Sequence, residues 1–177
     1  LLNRSQVISV IVWYLAVFML GLAVFSLLRP VMGGLKDHGY PLSRVFGLLL
    51  LSYLSWLAGS LNIPYQKSTI AGVGLLILLA GTAAAYLQRE QILEQWKTQR
   101  KYLLLIEGLA LAVFLVGLLI RFGNPDLWHP WKGGEKPMDF SYFNAVLKST
   151  SIPPYDPWFA GGYINYYYYG FVLVGTL

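Results

Sequence analysis

Long apolar runs separated by short charged stretches set the pattern of this chain. Residues 7–28, 45–63, 69–87 and 103–120 are each uncharged or nearly so. Each is about as long as the 20 residues that a helix needs to cross a bilayer. Arg4 and Arg29 bracket the first, Arg44 and Lys67 the second, Arg89 closes the third, and Lys101 and Arg121 bracket the fourth. A fifth apolar run opens near Tyr163 and continues to Leu177. Inside hydrocarbon every backbone amide must be paired within its own segment, so these runs are expected to be helices. The first is too long for the hydrophobic region of a signal peptide, which takes about 7–15 residues. The pattern predicts an all-α, polytopic transmembrane helix bundle of four spans plus the start of a fifth.

Composition sharpens this reading. The chain has 177 residues, of which 56% are hydrophobic and only 12% charged. Soluble domains carry about 25% charged residues. Too few polar side chains remain to coat a water-soluble globule, which excludes a soluble enzyme and a nucleic-acid-binding domain. With no cysteine, disulfides, thiolate nucleophiles and cysteine-ligated metals are excluded as well. Leu1-Leu2 at one end and an apolar run at the other suggest a piece of a longer protein.

The net charge of +5 reads as topogenic. The 1–2 loop has Arg29, Lys36 and Arg44, and the 3–4 loop has Arg89, Lys97, Arg100 and Lys101, seven in all. Six lie on the other side: Arg4, Lys67, Arg121, Lys132, Lys136 and Lys148. The 3–4 loop packs its four between residues 89 and 101, against membrane ends. By the positive-inside rule these two loops are cytoplasmic and residues 121–162 extracytoplasmic. Within the 3–4 connection, Ile92, Leu93 and Trp96 share one helical face, as expected of a helix along the interface or an extension of span four. Glu107 is the one acid inside a span. It is either a functional carboxylate, as in a proton relay, or a group close enough to the interface to meet Arg100 and Lys101.

Residues 122–169 differ in kind. They hold 14 of the 28 aromatic residues, four of the eight acids and six of the nine prolines. A loop this long and this rich in proline, glycine and tryptophan is usually an ordered functional element. Asn124-Pro125-Asp126-Leu127-Trp128-His129-Pro130-Trp131 suits the headgroup layer, and His129 reads as an interfacial histidine. Asp139 stands where a helix N-cap belongs, ahead of Phe140, Phe143 and Leu147 at helical spacing. This predicts a short amphipathic surface helix over 140–148. Prolines make 152–158 stiff and extended. Asp156, between two prolines, reads as a turn former or as a metal ligand. Lys136 can pair with Glu135, and the tyrosines after Asn165 suit an interfacial belt.

Three segments in this loop, Glu135-Lys136-Pro137-Met138-Asp139-Phe140, Pro153-Pro154-Tyr155-Asp156-Pro157-Trp158-Phe159-Ala160-Gly161-Gly162 and Asn165-Tyr166-Tyr167-Tyr168, resemble the signature of the YYY-domain family of prokaryotic polytopic membrane proteins. That family is in turn similar to the GT-C glycosyltransferases, which take a sugar from a polyprenyl-phosphate donor. The resemblance implies an enzyme of the cytoplasmic membrane, with the 121–162 loop outside. Residues 1–101 would be an N-terminal three-span region and 102–177 the start of the GT-C-like module. In the GT-C class the acidic loop follows the first span. Here three spans precede it, so span four takes that place.

The resemblance implies Asp139 and Glu135 as the acidic catalytic motif. Lys136, Trp158, Asn165, Tyr166, Tyr167 and Tyr168 would contact substrate. Asp139 and Asp156 would hold a hard divalent ion such as Mg²⁺ or Mn²⁺. The implied partners are the lipid-linked sugar donor and membrane lipid, with no nucleic acid. The competing reading is a membrane transporter or a non-catalytic scaffold that uses the loop as a lid. No P-loop, dinucleotide fingerprint, zinc motif or nucleophile elbow is present.

Overall fold

A computed structural model describes residues 3–123 and 136–177. Among these described residues there are six α-helices: α1 (Arg4–Leu28), α2 (Ser43–Ser60), α3 (Lys67–Leu87), α4 (Arg89–Gly123), α5 (Lys136–Lys148) and α6 (Tyr168–Gly175). A 3-10 turn over Tyr40–Leu42 leads into α2. Four segments are long and apolar enough to cross a membrane: α1, α2 with its leading turn, α3 and α4. The all-α polytopic architecture read from the hydropathy pattern is therefore the one observed. The chain forms two compact units, residues 1–87 with 141–177, and residues 88–140.

In the first unit α1 packs against both α2 and α3. Leu20 and Val24 of α1, Leu51 of α2 and Ile77 of α3 form its buried centre. Lipid tails are as apolar as leucine, so burial alone does not drive this association, and close approach of backbones must contribute. The sequence supplies small residues where it is needed. A Cβ at Gly81 would stand 2.5 Å from the Ala23 carbonyl oxygen and 2.6 Å from the Ala23 Cβ. Gly47 similarly admits Leu20.

Arg44, expected to flank span two, is instead the second residue of α2. Its stem lies against Gly21, and its guanidinium sits 5.4 Å from the Phe18 ring centre and 5.9 Å from that of Tyr14. The head thus points along α1 towards that helix's own N-terminus, and two aromatic faces receive the charge.

Asn62, in the left-handed region at φ 65°, ends the turn after α2. The Thr69 hydroxyl donates to the Pro64 carbonyl (2.7 Å) at the start of α3. This short turn carries Tyr65, which is almost fully buried. Residues 149–176 fold onto it. The Tyr65 N–H donates to the Thr150 carbonyl (2.8 Å), and Ile152 packs where Gly59 leaves room. Tyr65, Val146 and Val172 form a second buried cluster, with Trp56, Ile152, Tyr168 and Phe171 around it.

In the second unit α4 has 35 residues, about 52 Å at 1.5 Å per residue. That exceeds a hydrocarbon core of about 30 Å. The excess is the charged first part, from Arg89 to a bend at Gln99 (φ −116°, ψ 15°). The 3–4 connection is helical, as expected, and joins the apolar part of α4 across the bend at Gln99; only Gln88 separates α3 from α4. Glu107 is half-buried and lies eight residues past the bend.

Candidate functional site

The candidate site residues fall on α5, on the loop between α5 and α6, and at the start of α6. Glu135 lies outside the described residues, as do Lys132, His129 and the stretch around Trp128 and Trp131. The helix expected to start after Asp139, at Phe140, begins four residues earlier, at Lys136. Asp139 is therefore an exposed acid within the first turn and does not cap the helix. Pro137 explains the earlier start. In a first turn its missing N–H has no intrahelical partner to lose, and its fixed φ suits the helix. An acid in that turn is favoured by the helix dipole. Lys136, the first residue of α5, is half-buried.

Between the helices, residues 154–164 double back as a small antiparallel loop. Tyr155 and Tyr163 pair across it. The Asp156 N–H donates to the Gly162 carbonyl (3.0 Å), and the Ile164 N–H to the Pro154 carbonyl (2.8 Å). Pro154 and Ile164 are the buried feet of the loop. Its tip is an Asx turn: Asp156 Oδ1 accepts the N–H groups of Trp158 (2.8 Å) and Phe159 (3.3 Å). Gly161 then takes φ +80°, and a Cβ at Gly162 would collide with the Phe159 ring. Much of the Pro-Pro-Tyr-Asp-Pro-Trp-Phe-Ala-Gly-Gly motif is thus accounted for as turn chemistry. One oxygen of Asp156 serves the backbone.

The side chains this loop exposes are aromatic. The Tyr155 and Tyr163 rings stack at 5.0 Å with 22° between their planes. Their hydrogen bond and mutual repulsion raise the Tyr163 phenol above its ordinary 10.0. Trp158 and Phe159 are about two-thirds exposed, at 66% and 69%. Trp158 is also aimed, because its Nε1–H donates to Ser141 Oγ of α5 (2.9 Å).

The tyrosine run divides by role. Asn165, Tyr166 and Tyr167 are exposed, and the Tyr166 and Tyr167 rings lie 4.0 Å apart. Tyr167 adopts φ 51° as α6 begins. Tyr168 is instead a packing residue: its hydroxyl accepts the Trp56 Nε1–H (3.0 Å). Tyr169 sets its ring edge-on to the same indole at 5.8 Å.

At the far end of α6, Tyr65 Oη and Thr176 Oγ1 lie 2.9 Å apart. The Thr176 hydroxyl also donates to the Val172 carbonyl (2.6 Å), which leaves the Tyr65 hydroxyl as the donor between the two. Burial pushes the Tyr65 phenol above its ordinary 10.0. Trp56 and Tyr65 are the residues that sequence reasoning missed. The available signal was slight: a tryptophan in the last turns of a span, and a tyrosine after Pro64 in a short connection.

No group of three His, Cys, Asp or Glu side chains comes together to hold a metal ion among the described residues. Of the two acids named for a divalent ion, Asp156 has one oxygen engaged by the turn and Asp139 is exposed on α5.

No curated protein and no solved structure matches this chain. The family model described as "Uncharacterized membrane protein (DUF2298)" matches residues 50–177, which takes in α3 to α6 and all of the surface loop. The chain belongs to that membrane protein family.

Proposed function

We propose that this integral membrane protein is a GT-C-like glycosyltransferase of the YYY-domain type, using a polyprenyl-phosphate sugar at the outer face of the membrane. The observation that carries the reading is the exposed carboxylate of Asp139 in the first turn of α5. It belongs to the first of the three motifs that resemble that family. The density of basic residues in the 1–2 and 3–4 loops supports an extracytoplasmic position.

The chemistry asked of this carboxylate is simple. The acceptor hydroxyl attacks the anomeric carbon, and a new C–O bond forms with inversion. The bond to the donor phosphate breaks, and its electrons leave with the polyprenyl phosphate. Asp139 takes the acceptor proton as general base, a role that typically contributes about 10²–10⁴-fold. Lys136, beside it at the start of α5, is placed to meet phosphate charge. Exposed rings at Trp158, Tyr166 and Tyr167, with Asn165, offer stacking faces and an amide to a sugar. Tyr168 belongs to the framework beneath them. No step is routed through a metal.

The test is sugar transfer by the full-length protein carrying Asp139→Asn, Glu135→Gln or Asp156→Asn. Asp139→Asn is expected to lose at least about 100-fold in rate. Asp156→Asn keeps an oxygen that can accept the same two N–H groups, and is expected to retain transfer. Wild-type transfer by all three variants, each inserted normally, overturns the reading.

A further inference from the structure

The loop tip remains to be explained, because its most exposed side chains are its most apolar. Trp158, Phe159, Tyr155 and Tyr163 are all more than half exposed, a state that large rings rarely take against water without a partner. The tip also has no basic side chain. From residue 149 to residue 177 there is one charged side chain, Asp156, and one of its oxygens is occupied by two backbone N–H groups.

The height of the tip in the molecule identifies what covers it. Residues 149–152 are fastened to the end of the α2–α3 hairpin, by the Tyr65–Thr150 bond and by Ile152 against Gly59. That hairpin end is where two spans leave the hydrocarbon. A segment tied there, with a single charged side chain and rich in tryptophan and tyrosine, has the composition that partitions into the headgroup layer. We infer that the 154–164 loop is an interfacial anchor that dips its Trp158–Phe159 tip into the same bilayer that α2 and α3 cross. The Trp158 bond to Ser141 then ties the first half of α5 to that depth.

A tip with no basic side chain is held by ring partitioning and not by attraction to anionic lipid, so anionic lipid is not needed to hold it there. The inference itself stands without the transferase reading.

The absence of cysteine makes the test clean, because one introduced cysteine carries one spin label. Trp158→Cys, Phe159→Cys and the milder Ala160→Cys would be labelled in the full chain. Each would be reconstituted in phosphatidylcholine vesicles, with and without phosphatidylglycerol. Collision with oxygen is compared with collision with a water-soluble nickel chelate. Leu79→Cys, on an exposed face of α3, gives the lipid reference, and Gly34→Cys, open on the 1–2 loop, the aqueous one.

The expected result is an oxygen-to-nickel ratio on the Leu79 side of the midpoint at 158, 159 and 160, unchanged by phosphatidylglycerol. A ratio on the Gly34 side overturns the inference. So does exclusion of both reagents, which would mean that protein covers the tip. Sugar transfer plays no part in this readout, so failure here is distinct from failure of the proposed activity.

Discussion

Where α1 meets α3, backbone lies almost against backbone; where residues 149–176, the surface layer, meet α2 and the α2–α3 turn, side chains reach across to one another. The first contact is made through Gly81 and Ala23. The second is made through an indole on a phenol, a phenol on a hydroxyl and a backbone bond at Tyr65. The difference follows the solvent. In hydrocarbon an apolar side chain gains little by leaving lipid for protein, so close packing of small residues has to bind the helices. At the membrane surface, water competes and apolar burial is rewarded again. Amphipathic rings then serve both as packing and as hydrogen-bonding groups.

The comparison can be broken most forcibly at Gly81. Gly81→Leu forces α1 and α3 apart against backbone, and is expected to cost about 3 kcal/mol or more. The whole bundle should unfold at lower temperature in detergent, taking the surface layer with it. Gly59→Val acts on the other region. Its new side chain meets Ile152, and a cost of about 2 kcal/mol is expected to fall on the docking of residues 149–153. Limited proteolysis should then cut the 154–164 loop faster while the bundle melts as before. If both variants lower melting equally, the two regions are not separable.

Arg44→Ala removes two cation–π contacts and a stem lying along Gly21, for about 1–2 kcal/mol. Its effect should appear in bundle melting and leave loop proteolysis unchanged. Tyr65→Phe, the mildest change, deletes one hydrogen bond worth about 1 kcal/mol. It should loosen the surface layer alone.

That variant also carries a pH signature. Tyr65 is held protonated by burial, so its contribution is complete below the ordinary tyrosine value of 10.0. It is lost as pH rises through the higher value of the folded state. Wild-type docking, followed by proteolysis rate, should therefore weaken at strongly alkaline pH, and Tyr65→Phe should lack that component.

The four spans were readable because a membrane helix writes its boundaries as a local average of hydropathy. Residues 69–87 were expected for the third, and Lys67–Leu87 is observed. Ambiguity arose where local chemistry allowed two answers. Asp139 fits an N-cap and a first turn alike, and Pro137, which favours the second, decided between them. Asp156 fits a turn former and a metal ligand; the turn is observed, with one oxygen accepting the Trp158 and Phe159 amides.

The docking of the surface layer was not legible at all. It depends on Trp56 meeting Tyr168 and Tyr65 meeting Thr176, and no periodicity within a window connects such residues. Glycines were equally silent. Gly81 and Gly72 look alike in sequence, yet only Gly81 has a backbone pressed against it.

Those two pairs have a consequence for how the protein is made. Trp56 and Tyr168 are 112 positions apart, and Tyr65 and Thr176 are 111 apart. At a synthesis rate of about 5–20 residues per second, the α2–α3 hairpin waits at least several seconds for its partners to leave the ribosome. During that interval Tyr65, destined to be buried, stands unpaired at the bilayer edge. Surface-layer closure is thus the late, long-range step in biogenesis, and a chain arrested before residue 168 would leave the insertion machinery with its spans assembled and its outer layer open.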